Sequence, residues 1–280
     1  MQEEKRQEFT FTDQDFEYLR TLVGEHAGIS LGEQKRQLVY GRLTRRLRQL
    51  QIADFAGYCH YVQQNTASEI GEIINAITTN LTSFFREHHH FEHLKDEALP
   101  DLMARNAAQR RLRLWSAGCS TGEEPYSIAM TLMESVPEIS SWDAKLLATD
   151  IDSQVLARAA SGVYAEDRVR DLPPDRMRRW FSRGQGNNAG KVKVSDKLQK
   201  LIAFRRLNLM EPWPMHRPMD VIFCRNVVIY FDKETQKKLF DRYADMLVPE
   251  GYLYVGHSET LHRICDRFRL IGRTIYQRIA

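Results

Sequence analysis

The 280-residue sequence predicts an α/β protein: an all-helical N-terminal region, then a parallel sheet covered by helices, with a small antiparallel insert. Three observations predict it. Apolar residues recur at helical spacing through the first hundred residues, and no convincing alternating strand pattern precedes Leu112. After that point, short apolar runs alternate with amphipathic helical segments, as in a sheet built from crossover units. One stretch, about 170–207, breaks the alternation and reads as short strands and loops.

The elements follow in order. Phe16, Leu19, Leu22 and Val23 share one helical face, as do Val39, Leu43, Leu47 and Leu50. Residues 1–92 are assigned to the helical domain, 93–109 to a linker helix and 110–280 to the α/β domain. LRLWSA (112–117), AKLLAT (144–149), DVIFC (220–224) and GYLYVGH (251–257) suit buried strands. Between them, 124–135, 153–161 and 233–247 have helical patterns. Pro173-Pro174, the loop RGQGNNAG (183–190) and the KVKVS and LIAFRR runs predict the antiparallel insert. FRLIGRTIYQRI (268–279) has two extended runs around Gly272, expected to form a hairpin that adds an antiparallel strand at the sheet edge.

Composition narrows the functional classes. A net charge of +3 is too small to demand nucleic acid. The start, MQEEKRQEF, lacks the apolar core of a secretory signal, and no run approaches the roughly 20 apolar residues of a membrane span. Cys59, Cys119, Cys224 and Cys265 are scattered, so neither a disulfide framework nor a zinc site is expected and a reducing cytoplasm fits. The Asn80-Leu81-Thr82 sequon is then a chance match. His89 and His93 have helical spacing for two metal ligands, but no third ligand or HExxH glutamate accompanies them; His88, His89, His90 and His93 are expected to be polar histidines at a helix end, with no metal.

SAGCSTGEEPY (116–126) follows a strand and opens a helix. Gly118 and Gly122 allow a tight turn and close backbone approach to a ligand. Glu123 and Glu124 sit where the helix dipole favours negative charge, which repels a pyrophosphate and welcomes an ammonium group. ATDID (148–152) ends the next strand with an acid, where open nucleotide-binding sheets hold both hydroxyls of a ribose. Asp150 is taken for the ribose and Asp152 for the helix cap. FCRNVVIYF (223–231) places Arg225, Asn226 and Tyr230 past a strand's carboxyl end. In TTNLTSFFRE (78–87), spacing places Thr82 and Arg86 on one helical face; from spacing alone, an ordinary amphipathic helix with Phe84 and Phe85 in the core is the favoured reading.

Together, NLTSFFRE with its His-rich turn, SAGCSTGEEPYSIA, ATDID, LNLMEPWP (207–214), FCRNVVIYFD and GHSE (256–259) resemble the CheR-type chemotaxis receptor glutamate O-methyltransferases, from about Phe11 to the C-terminus. The resemblance implies a helical N-terminal domain, a Rossmann-like S-adenosylmethionine-dependent sheet and a small antiparallel β-subdomain. It implies that Asn80, Thr82 and Arg86 contact the cofactor from the helical side. Glu124, or its neighbour Glu123, would hold the methionine ammonium beside Gly118, and Asp150 the ribose. Asn208 and Leu209 would line the adenine, and Arg225 and Asn226 would close the site. Ser120 stands where the commoner methyltransferase turn has its middle glycine, a feature the family shares.

The implied reaction transfers a methyl group to a receptor glutamate, giving a methyl ester and S-adenosylhomocysteine. Arg86 and Tyr230 are expected to position the acceptor, which is already an anion near neutral pH because its pKa is about 4.3. Between Gln34 and Ala53 lie Lys35, Arg36, Arg42, Arg45, Arg46 and Arg48 without an acid. Arg42, Arg45, Arg46 and Arg48 are expected to meet the acidic helical domain of the receptor; no aromatic interleaving supports nucleic acid. The enzyme is expected in the cytoplasm, recruited to membrane-bound receptors without inserting, and some family members also grip a receptor C-terminal peptide on the β-subdomain. Competing readings are methylation of an amide or ring nitrogen, a nicotinamide-dependent dehydrogenase and a non-catalytic cofactor-binding adaptor.

Overall fold

The computed structural model describes residues 8–279. The helices are α1 (Asp13–Ala27), α2 (Arg36–Leu50), α3 (Phe55–Gln64), α4 (Thr66–Ile77), α5 (His89–His93), α6 (Leu99–Arg105), α7 (Glu123–Ser135), α8 (Ser153–Ser161), α9 (Pro174–Trp180), α10 (Asp196–Gln199) and α11 (Lys233–Met246). The strands are β1 (Arg111–Ala117), β2 (Asp143–Asp150), β3 (Val163–Ala165), β4 (Phe181–Arg183), β5 (Lys191–Val194), β6 (Ile202–Arg206), β7 (Met219–Cys224), β8 (Leu247–Val255), β9 (Phe268–Gly272) and β10 (Ile275–Arg278). None of the described helices is long and apolar enough to cross a membrane.

The described residues up to Thr79, with Tyr230–Asp232, form one compact unit. Helix α1 starts on a capping box: Asp15 N–H donates to Thr12 Oγ1 at 3.2 Å, and Thr12 N–H donates back to the Asp15 carboxylate at 2.9 Å. It stops at Gly28 in the left-handed region, φ +69°. Val39, Leu43 and Leu47 of α2 are completely buried, as the spacing predicts. Each such side chain contributes about 1.5–3 kcal/mol when fully withdrawn from water.

Asn80–Ile229 and Lys233 onward form the second unit. Its seven-stranded sheet runs β6-β2-β1-β7-β8-β10-β9. Pairings are parallel from β6 to β8 and antiparallel at β8–β10 and β10–β9, so the C-terminal hairpin forms as expected. Strand β1 lies between β2 and β7, so the chain order reverses there. The carboxyl ends at such a switch point form the crevice where open α/β sheets bind ligands.

Three expectations need correction. The units divide at Thr79–Asn80, so 80–109, read from sequence as domain end and linker, packs with the sheet. Phe84, Phe91, Leu94, Leu99 and Leu102 share one core with Leu112, Leu114 and Phe223. The antiparallel insert begins at Val163 and runs in the order β3-β5-β4. The LIAFRR run is no part of it: β6 pairs in parallel with β2, Ile202 opposite Leu146, because Ile202 and the half-buried Phe204 pack into the main core. Finally, 78–88 is irregular, with Phe85 and Glu87 at φ +53° and +57°, so Thr82 and Arg86 share no helical face.

Candidate active site

The turn after β1 is shaped by contact rather than by flexibility. Gly118 has φ +89°, and a Cβ there would stand 2.3 Å from Val227 Cγ2. Gly122 has φ +96°, with Ala159 Cβ and the Tyr164 hydroxyl each 2.8 Å from the missing Cβ. Between them Ser120, at φ +47°, presents its N–H to Asp150 Oδ2 at 2.8 Å.

Asp150 ends β2, almost completely buried. Its other oxygen accepts the Asp152 N–H at 3.0 Å. A carboxylate has about four acceptor sites, so two remain for the two hydroxyls of a ribose. Burial pushes its pKa up to about 6, against the lowering effect of these backbone hydrogen bonds. Asp152 caps α8 as expected, accepting from Gln154 N at 2.8 Å and Val155 N at 3.2 Å.

The two glutamates opening α7 point to different partners. Glu123 is held by Arg168 and by the Thr121 hydroxyl at 2.6 Å. Glu124 accepts from Ser116 Oγ at 2.7 Å and from Arg225 Nη1 at 3.1 Å. Burial raises the Glu124 pKa, partly offset by Arg225. Arg225, 3% exposed, also donates to the Arg86 carbonyl and lies 3.5 Å from Glu87. Glu87 accepts from the His257 backbone N–H at 3.3 Å; burial pushes its pKa up, but Arg225 and the His257 hydrogen bonds outweigh this and hold it below the usual range.

Within the second unit, the other expected residues have the following contacts. Asn80 Nδ2 donates to Asp152 Oδ2 at 3.0 Å. The Thr82 carbonyl accepts from Arg168, and Arg86 Nη1 closes its own loop on the Leu81 carbonyl at 2.7 Å. Leu207 N–H donates to the Asp150 carbonyl at 3.0 Å, which tethers the Asn208-Leu209 segment to β2. Asn208 Oδ1 accepts the Met210 N–H at 3.0 Å; Arg242 donates to the Leu209 carbonyl and lies 4.0 Å from the Trp213 ring centre. Tyr230 is grouped with the helical unit, where its hydroxyl donates to the Thr79 carbonyl at 3.5 Å.

The arrangement fits a nucleoside carrying a cationic amino-acid end. Two glycines let Val227, Ala159 and Tyr164 close against the turn, one buried acid keeps two acceptor sites, and two buried glutamates open α7. Family comparisons agree. Residues 80–277 match the family model described as CheR methyltransferase, SAM binding domain, and 14–78 match CheR methyltransferase, all-alpha domain.

The chain belongs to the CheR methyltransferase family.

It is 46% identical over 278 residues to chemotaxis protein methyltransferase 2 of Pseudomonas aeruginosa, covering 96% of this chain and 95% of that protein. A probable chemotaxis protein methyltransferase of Rhizobium etli is 44% identical over 258 residues, covering 91% and 96%. The chemotaxis protein methyltransferase of Escherichia coli is 42% identical over 268 residues, covering 95% and 91%. The chain is thus an S-adenosylmethionine-dependent chemotaxis methyltransferase with the fold the sequence predicts.

Within this family member the four arginines expected to meet a partner differ sharply. Arg42 is consumed at the end of α4, donating to the carbonyls of Ala76 (3.3 Å), Ile77 and Thr78 (2.6 Å). Arg46 makes a two-pronged pair with Glu69 at 2.7 and 2.6 Å, and Glu69 is 1% exposed. Arg48 pairs with Glu8 on the surface. Arg45 is exposed and has no hydrogen bond or ion pair among the described residues. Arg42 and Arg46 therefore hold the helical unit together. Spacing could not distinguish them from Arg45, because their partners lie 23 or more residues away.

The histidines also depart from expectation. His90 and His93 are buried, not polar ornaments of a helix end, because α5 lies against β7 and β8: His90 packs on Phe223 and Tyr254, and His93 Nδ1 meets the Tyr254 hydroxyl at 2.9 Å. Burial, with Arg225 nearby, pushes the His90 pKa down to about 3. A different trio comes together, without His93: possible ligand atoms of Glu87, His89 and His90 lie within 4.8 Å of one another. Glu87, however, already faces the Arg225 guanidinium, a resident cation. Sequence reasoning missed Ser116, Glu87, Arg168 and His257. Ser116, Glu87 and His257 were inside quoted motifs, but only contact distances assign them work.

Proposed function

We propose that this enzyme esterifies glutamate side chains in the cytoplasmic helical domain of chemotaxis receptors, with S-adenosylhomocysteine as the second product and without a metal. The observation that carries this reading is the family match over both domains, combined with Asp150 at the end of β2 and the Glu124–Arg225 pair after β7, at the carboxyl ends of the strands beside the switch point. S-adenosylmethionine, when bound, supplies an activated methyl group. Asp150 would hold the ribose and Glu124, at 8% exposure against 1% for Glu123, the ammonium. Asn80, Thr82, Gly118, Asn208 and Leu209 would border the nucleoside. Arg225 and Asn226 would fix the amino-acid end.

The acceptor carboxylate is ionised near neutral pH, so the protein need supply no base. Its tasks are alignment and exclusion of water, which contribute several kcal/mol and up to about 7–11 kcal/mol in ideal cases. Arg86 spends one donor on Leu81 and keeps others for a carboxylate. Tyr230 would offer its hydroxyl to the same group. Arg45, free on its helix, would meet the acidic receptor, not nucleic acid. The β-subdomain would take a receptor C-terminal peptide beside the cavity of about 750 Å³ lined by Val169, Leu172, Met177 and Phe181. The setting is the cytoplasmic face of receptor-bearing membranes.

The test is incubation with methyl-labelled S-adenosylmethionine and receptor-containing membranes, followed by alkali. Volatile labelled methanol is the expected product, and an alkali-stable label would overturn the ester in favour of nitrogen. In the same assay Arg86→Ala and Tyr230→Phe are each expected to lower kcat at least about tenfold, corresponding to one lost hydrogen bond to a charged group. Near-normal rates would remove those roles.

A further inference from the structure

Glu259 is 4% exposed and forms no ion pair among the described residues. Its carboxylate is satisfied entirely by backbone. Oε1 accepts the N–H of Val228 at 2.8 Å and of Ile229 at 3.3 Å. Oε2 accepts the N–H of Asn226 at 2.9 Å and of Gly256 at 2.5 Å. The turn that follows β7 is thereby wrapped around one negative charge. Asn226 sits in the left-handed region at φ +59°, which asparagine adopts more readily than other non-glycine residues and which here is fixed by its N–H bond to Glu259. Gly256 closes the other side: a Cβ there would lie 2.5 Å from Asn226 Nδ2 and 2.9 Å from Glu259 Oε2.

We infer that Glu259 is a positioning residue for methyl transfer: it sets the peptide geometry of the Arg225-Asn226 turn, and through that turn the cofactor end of the pocket. This rests on the reading of the Asp150–Glu124–Arg225 pocket as the cofactor site. A neutral isostere does not substitute for it. Each oxygen receives two N–H groups, so a glutamine must aim its NH2 at two donors whichever way it is turned. Burial raises the Glu259 pKa overall, and the four backbone donors offset part of that rise.

The experiment measures S-adenosylhomocysteine affinity by calorimetry for the full-length enzyme and for Glu259→Gln, Glu259→Asp and Gly256→Ala. Folded fraction is taken from binding stoichiometry and the thermal transition. Expected is a Kd raised tenfold or more for Glu259→Gln at unchanged stoichiometry, a smaller rise for Glu259→Asp, which keeps both acceptors, and a rise for Gly256→Ala, which leaves the charge intact. A purely structural role predicts a lower melting temperature with wild-type Kd in the folded fraction, and that result overturns the inference. Should all three variants unfold, amide exchange of 224–230 in the unsubstituted enzyme decides. Protection at Asn226 and Val228, increased by S-adenosylhomocysteine, is expected, and rapid exchange at both sinks the idea. If the unsubstituted enzyme fails to bind S-adenosylhomocysteine, the pocket assignment fails instead.

Discussion

S-adenosylhomocysteine is expected to bind this enzyme most tightly above pH 6 and to weaken by up to about tenfold per pH unit below it, as one proton must leave Asp150 for binding. Burial raises the Asp150 pKa from 3.8 to about 6 in the folded protein. Ribose hydroxyls donate to the ionised form and not to a protonated one, so the ligand selects the anion and lowers the pKa again. The sign for stability is opposite. A raised folded-state pKa means that the native state holds the proton longer, so Asp150 disfavours folding of the free enzyme as pH climbs from about 4 to 6. Bound cofactor recovers part of that cost. Two hydrogen bonds to a charged group are worth about 3 kcal/mol or more together. Asp150→Asn is therefore expected to bind at least about a hundredfold more weakly and to lose most of the pH dependence between pH 5 and 7. Burial raises Glu124 and Glu259 in the same direction, so the slope that survives in Asp150→Asn comes from the remaining buried carboxylates. Calorimetry across that range in two buffers of different ionisation enthalpy reads both affinity and proton release. A flat affinity profile for the unsubstituted enzyme would falsify the role of Asp150.

The second large effect separates two arginines one position apart. Arg46→Ala is expected to destabilise the helical unit by about 3–5 kcal/mol, the range for stranding one partner of a buried ion pair. Its partner Glu69 is 1% exposed and would keep only the Tyr58 hydroxyl, at 2.8 Å. Arg45→Glu reverses a charge that holds nothing, and stability should move by less than about 0.5 kcal/mol. Receptor methylation should respond the other way, with Arg45→Glu raising the receptor KM at unchanged S-adenosylhomocysteine affinity. Urea unfolding paired with methylation kinetics reads both. An Arg46→Ala protein as stable as the parent, or an Arg45→Glu protein with normal receptor KM, would each remove half of the contrast.

The sequence was informative wherever the deciding force is local. The strand runs at 112–117, 144–149 and 220–224 lie inside β1, β2 and β7, since a fully buried parallel strand must be apolar at nearly every position. Helices α7 and α8 begin where charge and capping say they should. The Gly118–Gly122 turn and the acid at the end of β2 were legible because close backbone approach and hydrogen-bond acceptance demand those residue types. The 78–88 segment misled because its spacing suits a helix while its backbone is held by contacts from afar. Phe85 N–H reaches Ser127 at 2.9 Å, 42 residues along the chain.

What the chain by itself determined is therefore the list of elements, the family motifs and the residues able to grip a nucleoside with a charged tail. Tertiary structure alone decided which basic residues are consumed, that β6 belongs to the large sheet, that His90 is buried, and that Glu259 organises the turn after β7. The physical reason is range. Helical and strand periodicity and turn chemistry act over a few residues. A buried charge is satisfied by whatever the fold brings within 3 Å, and the Glu259 partners Asn226 and Val228 lie 33 and 31 residues away.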